Sequence, residues 1–92
     1  MAASLPLKAR ILQYGVKKGT EFTIDDIMRD LEPEYGGEKL FNRKLFDEYF
    51  GALIGVGFLK NERLEFDKND ELVIYSTATE YGKERSRLIP ER

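Results

Sequence analysis

The chain has 92 residues, 41% of them hydrophobic and 35% charged, a formal net charge of −2, and neither histidine nor cysteine. A chain this short buries one core and no more, so one domain over 1–92 is expected, its core at about 5–87 and its tail at 88–92 weakly held. These counts exclude a disulfide framework and zinc or haem sites of ordinary type, and no apolar run approaches the roughly 20 residues that cross a bilayer.

The opening MAASLPLK has no basic region, long apolar core or cleavage site of a secretory signal, which together with the lack of cysteine points to the cytoplasm. Residues 6–16 predict a first helix. Proline is tolerated in a first turn, where its N–H would have no partner, and Leu7, Ile11, Leu12 and Val16 share a face. Lys17 and Lys18 suit the negative end of the helix dipole, and Gly19 ends the helix. Glu21, Phe22 and Thr23 read as a short extended piece. Thr23 then reads as the cap of a second helix, with Asp25 and Asp26 in its first turn and Ile24, Ile27, Met28 and Leu31 as its apolar stripe. Pro33 predicts that this helix stops at about Leu31 or Glu32, followed by a loop over 34–37.

The stretch KLFNRKLFDEYFGALIGVGFLK at 39–60 predicts one long third helix. Phe46, Tyr49, Phe50 and Leu53 recur at the spacing of a core-facing helix, with Leu45, Ile54 and Val56 widening the arc. Gly57 suits the left-handed conformation that closes a helix, and Phe58, Leu59 and Lys60 suit the first residues of a strand. FLKNERLEFD and ELVIYST then flank a tip of Lys68, Asn69 and Asp70, which is hairpin chemistry. Thr79 can cap a short last helix through Glu80, Tyr81, Gly82 and Lys83.

The fold class expected from this order is α+β, with three helices, a β-hairpin and a short C-terminal helix. Two stretches resemble the winged helix-turn-helix superfamily. LIGVGFLK at 53–60 is similar to the turn from recognition helix into wing, and YSTATEYGKE at 75–84 resembles the segment after the wing in PadR-like and MarR-like regulators. The resemblance implies a small transcription regulator that sets helix three in the major groove of double-stranded DNA and lays the hairpin wing on the backbone. Carried over position by position, Lys39, Asn42, Arg43 and Lys44 at the start of helix three would face DNA. Arg43 and Lys44 are placed for phosphate or guanine, and Lys68 and Asn69 would be the wing contacts. A lone domain of this size covers little DNA, so a homodimer through the first and last helices is expected, because those helices flank the reading head.

Charge supplies the alternative. Residues 1–20 carry four cations and no acid, whereas 21–37 carry six acids and one cation, and 57–79 carry five acids against three cations. Asp47 and Glu48 also sit one turn beyond Arg43 and Lys44, where carboxylates repel phosphate. The alternative is a winged domain that grips another protein without binding DNA. The remaining motifs reduce to structure: Phe41, Phe46, Tyr49 and Phe50 have core spacing rather than that of a base-stacking platform, and Asp67, Asn69 and Glu71 fit a hairpin tip better than a calcium loop. Gly51 and Gly55 offer a close helix approach. No nucleophile, base and pocket come together in the sequence, so neither an enzyme nor a cofactor is expected.

Overall fold

A computed structural model describes residues 6–37, 39 and 41–89. The expected core boundary at residue 5 and the tail residues 90–92 fall outside the described residues. The architecture is α+β, in the order α1 (Leu7–Lys18), α2 (Ile24–Tyr35), α3 (Arg43–Gly55), β1 (Leu59–Phe66), β2 (Leu72–Ala78) and α4 (Glu80–Ser86). It is compatible with the expected winged arrangement. Among the described residues no helix is long and apolar enough to cross a membrane.

Local chemistry sets most of the boundaries. Pro6 caps α1, whose buried face holds Leu7, Ile11, Leu12 and Tyr14, and Gly19 closes it at φ 73°. Thr23 and Asp26 form a reciprocal capping box at the start of α2: the Thr23 hydroxyl accepts from the Asp26 N–H and the Asp26 carboxylate accepts from the Thr23 N–H, both at 3.0 Å. Thr79 caps α4 through its own hydroxyl alone, accepting from the Gly82 N–H at 2.9 Å.

Two boundaries differ from expectation. The second helix passes through Pro33 and ends at Tyr35. Proline in a last turn forfeits one backbone hydrogen bond. Continuing the helix buries Tyr35 in the core and lets Gly36 donate to the Glu32 carbonyl at 2.7 Å. It also brings Glu34 to Arg10 of α1, which donates through Nε and Nη2 at 3.2 and 3.0 Å. Tertiary packing outweighs the local signal. The third helix begins at Arg43 rather than Lys39, because Asn42 adopts extended backbone and its side chain accepts from the Leu45 N–H at 2.9 Å. An asparagine that can cap a helix end competes with its own place inside the helix.

The far end of α3 behaves as expected. Gly57 takes φ 87°, the Gly57 N–H donates to Ile54 O and the Phe58 N–H to Leu53 O, a pair of bonds that satisfies the last carbonyls and aims the chain into β1. The strands pair antiparallel from Leu59↔Ala78 to Phe66↔Leu72. Phe22 joins the same sheet as an isolated bridge, its N–H and C=O exchanging hydrogen bonds with Ser76 at 2.9 and 2.8 Å. The Phe22 ring is fully buried and meets Tyr14 and Phe50 edge-on, with centroids 5.4 and 5.9 Å away. The core of α1, α2, α3 and the near end of the hairpin is thereby fastened at one aromatic residue.

Candidate functional site

Of the six residues expected to touch DNA, Arg43 is ion-paired and Asn42 caps its helix, whereas Lys39, Lys44 and Lys68 have no ion pair among the described residues. Arg43 begins α3, where its Nη1 donates to Asp25 Oδ1 of α2 at 2.6 Å and its Nε lies 3.7 Å from Asp47 Oδ1, one turn along the same helix. Asn42 spends its side-chain oxygen on the helix cap, and its side-chain N–H donates to the Lys39 carbonyl at 3.1 Å. Lys39 lies ahead of the helix rather than on it. Lys44 is exposed in a shallow recess with Asn42, Leu45 and Glu48, and has no ion pair among the described residues. Lys68 and Asn69 sit at the hairpin tip, where the Asp67 carboxylate accepts from the backbone N–H groups of Asn69 and Glu71 at 2.8 and 3.0 Å, and Asp70 takes φ 61°. The tip is thus shaped by an aspartate folding back on its own loop.

What the fold does bring together is a cleft of about 270 Å³ between the starts of α2 and α3 and the outer half of the hairpin. Asp25, Asp47, Asp67 and Glu71 line it, with Arg43 as the one cationic side chain in its lining. A second hollow of about 200 Å³ adjoins it, floored by Ile24, Phe50, Gly51 and Ile54 and sharing Ile74 with the first.

On the hairpin side the cleft is lined by Leu72, Val73 and Ile74 beside Asp67 and Glu71, and strand pairing extends the face of Leu72 and Ile74 past the cleft itself. Alternate residues of β2 point to one face, so Leu72, Ile74, Ser76 and Ala78 share it. Their partners are Phe66, Leu64, Asn61 and Leu59. The ladder is irregular between Asn61 and Arg63, and the extra residue Glu62 resets the alternation of β1. Without that bulge Leu64 and Phe66 would fall on the opposite face from Leu59. With it, one continuous row runs from the buried Leu59 and Ser76 out to Leu64, Phe66, Leu72 and Ile74, which are 59, 71, 51 and 41% exposed. The other face carries Arg63, whose guanidinium stacks 3.7 Å over the Tyr75 ring and pairs with Glu21 at 2.8 Å and with Glu65.

Among the described residues no three His, Cys, Asp or Glu side chains gather as a metal site. Comparison with protein-family models, curated proteins and solved structures returned no match to this chain. Nothing in the sequence alone marks Leu64, Phe66, Leu72 and Ile74 as one surface. In the sequence Leu64 and Phe66 alternate with charged residues and the stretch from Leu72 to Tyr75 is rich in β-formers, but the bulge that puts the four on one face is invisible before pairing is known. The acid excess of the hairpin was visible; its convergence with Asp25 and Asp47 was not.

Proposed function

We propose that this chain is a winged-helix domain that grips another protein, with the cleft between α3 and the hairpin as its binding surface. The order of helices, the Phe22 bridge and the hairpin support the winged arrangement. The observation that carries the functional reading is the state of Arg43: the best-placed candidate for phosphate or guanine is already neutralised by Asp25 and Asp47, in a cleft that also holds Asp67 and Glu71. A phosphate backbone laid between helix and wing would approach carboxylates, whereas DNA affinity depends on cations that displace condensed counterions.

A second reading has its own support. Lys44, Lys39 and Lys68 are exposed and without ion pairs among the described residues, which is what a small cytoplasmic regulator, paired through α1 and α4, would require for backbone contacts. Fluorescence anisotropy against mixed-sequence duplex DNA at about 50 and about 200 mM salt separates the two. The protein-gripping reading expects no binding tighter than about 10⁻⁴ M at either salt, the weak end of non-specific affinity. Micromolar or tighter binding that falls steeply with salt, and weakens several-fold in Lys44→Ala, would overturn it in favour of the regulator.

A further inference from the structure

We infer that the cleft takes a short segment of another polypeptide whose apolar side chains are flanked by lysine or arginine. This deepens the protein-gripping reading and rests on it. The apolar part follows from Leu72 and Ile74, which line the cleft, and from their strand partners Phe66 and Leu64, which extend the same exposed face beside it. Four large side chains side by side on an outward hairpin are not scattered surface apolarity, and burying them gives a gain proportional to the area removed from water. The floor of Ile24, Phe50, Gly51 and Ile54 offers the same chemistry on the helix side, and Gly51 leaves open space there.

The charged part follows from the rim. Asp25 and Asp47 stand on the helix side, and Asp67 and Glu71 on the hairpin side, with Arg43 already engaged. Cations at both ends of an apolar segment would meet a carboxylate on each wall. The same rim argues against the other occupants such a cleft could take. A second copy docked cleft to cleft about a two-fold axis would bring the four carboxylates close to their own copies. An anionic membrane surface or a nucleic acid carries the wrong sign. The hairpin tip is also held in shape before any partner arrives, since Asp67 ties Asn69 and Glu71 to itself, so docking does not first have to order the loop.

The test uses the full chain, labelled with ¹⁵N, and synthetic peptides that alternate leucine with lysine, leucine with glutamate, and serine with lysine. The leucine-lysine peptide should shift the amide resonances of Asp47, Gly51, Leu72 and Ile74, with affinity at least tenfold above both other peptides. The double variant Phe66→Ser, Leu72→Ser removes two exposed side chains and should keep the amide spectrum of the core while losing at least tenfold in affinity. Asp25→Asn with Asp67→Asn should lose several-fold and flatten the salt dependence. Equal binding of the leucine-glutamate peptide, or unchanged affinity in the double variant, overturns the inference. So does concentration-dependent dimerisation in sedimentation that the double variant abolishes, which would make a second copy the occupant. Failure of these peptides leaves the broader reading to the DNA titration, which is read independently.

Discussion

Tyr14 and Asp30 tie α1 to α2 through a single short hydrogen bond, the phenol donating to Asp30 Oδ2 at 2.6 Å. Burial, and then this bond to a carboxylate, raises the Tyr14 pKa well above that of a free phenol. The same bond, with a second from Arg29 Nε at 3.1 Å, holds the Asp30 carboxyl below the ordinary range. A carboxyl depressed in the folded state contributes stability that is present above its unfolded pKa, near 3.9, and is lost as pH falls through the lower folded value. A phenol raised in the folded state works in the opposite direction, its contribution intact below about pH 10 and lost above. Tyr14→Phe should therefore cost about 1 kcal/mol at neutral pH, and the gap from the parent chain should begin to narrow as pH falls below about 4. Urea denaturation of both proteins from pH 3 to 7 measures this. A gap of constant size across that range would show that the hydroxyl acts through packing and not through the carboxylate.

At the level of elements, the two stretches that resembled winged regulators turn out to be the two halves of one joint. Thr79 donates its hydroxyl to the Gly57 carbonyl at 2.6 Å and its N–H to the Phe58 carbonyl at 3.0 Å, while Tyr81 packs on the Phe58 ring with centroids 5.1 Å apart. Gly82 lies so close beneath that a Cβ there would collide with the Phe58 carbonyl. Gly82→Ala should cost about 3 kcal/mol, lowering Tm by roughly 15 °C in a domain of this size. Gly51→Ala, in open space on α3, should be neutral or stabilise by up to about 1 kcal/mol, since alanine is the better helix former. Thermal unfolding followed by circular dichroism reads both; equal effects would mean that the joint is looser than its geometry. This joint was half legible in the sequence, because Gly57 as a helix stop and Thr79 as a cap are local signals. That they bind each other is not local, nor is the continuation of α2 to Tyr35, which depends on the core awaiting that ring. The start of α3 departs from its apolar run for a different reason: Asn42, which lies inside that run, is a capping residue, and the helix starts only after it. The candidate site was legible only as residue types, because Arg43 is defined by its pairing with Asp25, eighteen positions away, and no spacing rule reaches that far.

For the whole molecule, the extents of 43 × 31 × 20 Å and a radius of gyration of 13.1 Å describe a body longer than it is thick. A compact chain of this length would have a radius near 12 Å. The excess fits a hairpin of which only the near end is built into the core. Leu59 and Ser76 are fully buried there, and Phe22 pairs with Ser76 from the other side, whereas β1 beyond Leu59 is exposed along its length. Local opening is governed by how much buried apolar contact must be broken, so the two ends of one ladder should differ. In native-state hydrogen exchange the Phe22 and Ser76 amides should exchange only with global unfolding. The pairs Leu64↔Ile74 and Phe66↔Leu72 should open at a clearly lower free energy, with a weaker denaturant dependence because little surface is exposed when they part. Uniform protection along the ladder would mean that hairpin and core open as one unit and that the outer apolar row is already satisfied. The expected gradient also gives a direct signature of a partner. An apolar segment bound between α3 and the hairpin adds contacts at the outer pairs alone, so saturation should slow exchange there by the ratio of partner concentration to its dissociation constant. The Phe22 bridge would keep the exchange mechanism of the free protein, since its amides already open only when everything does.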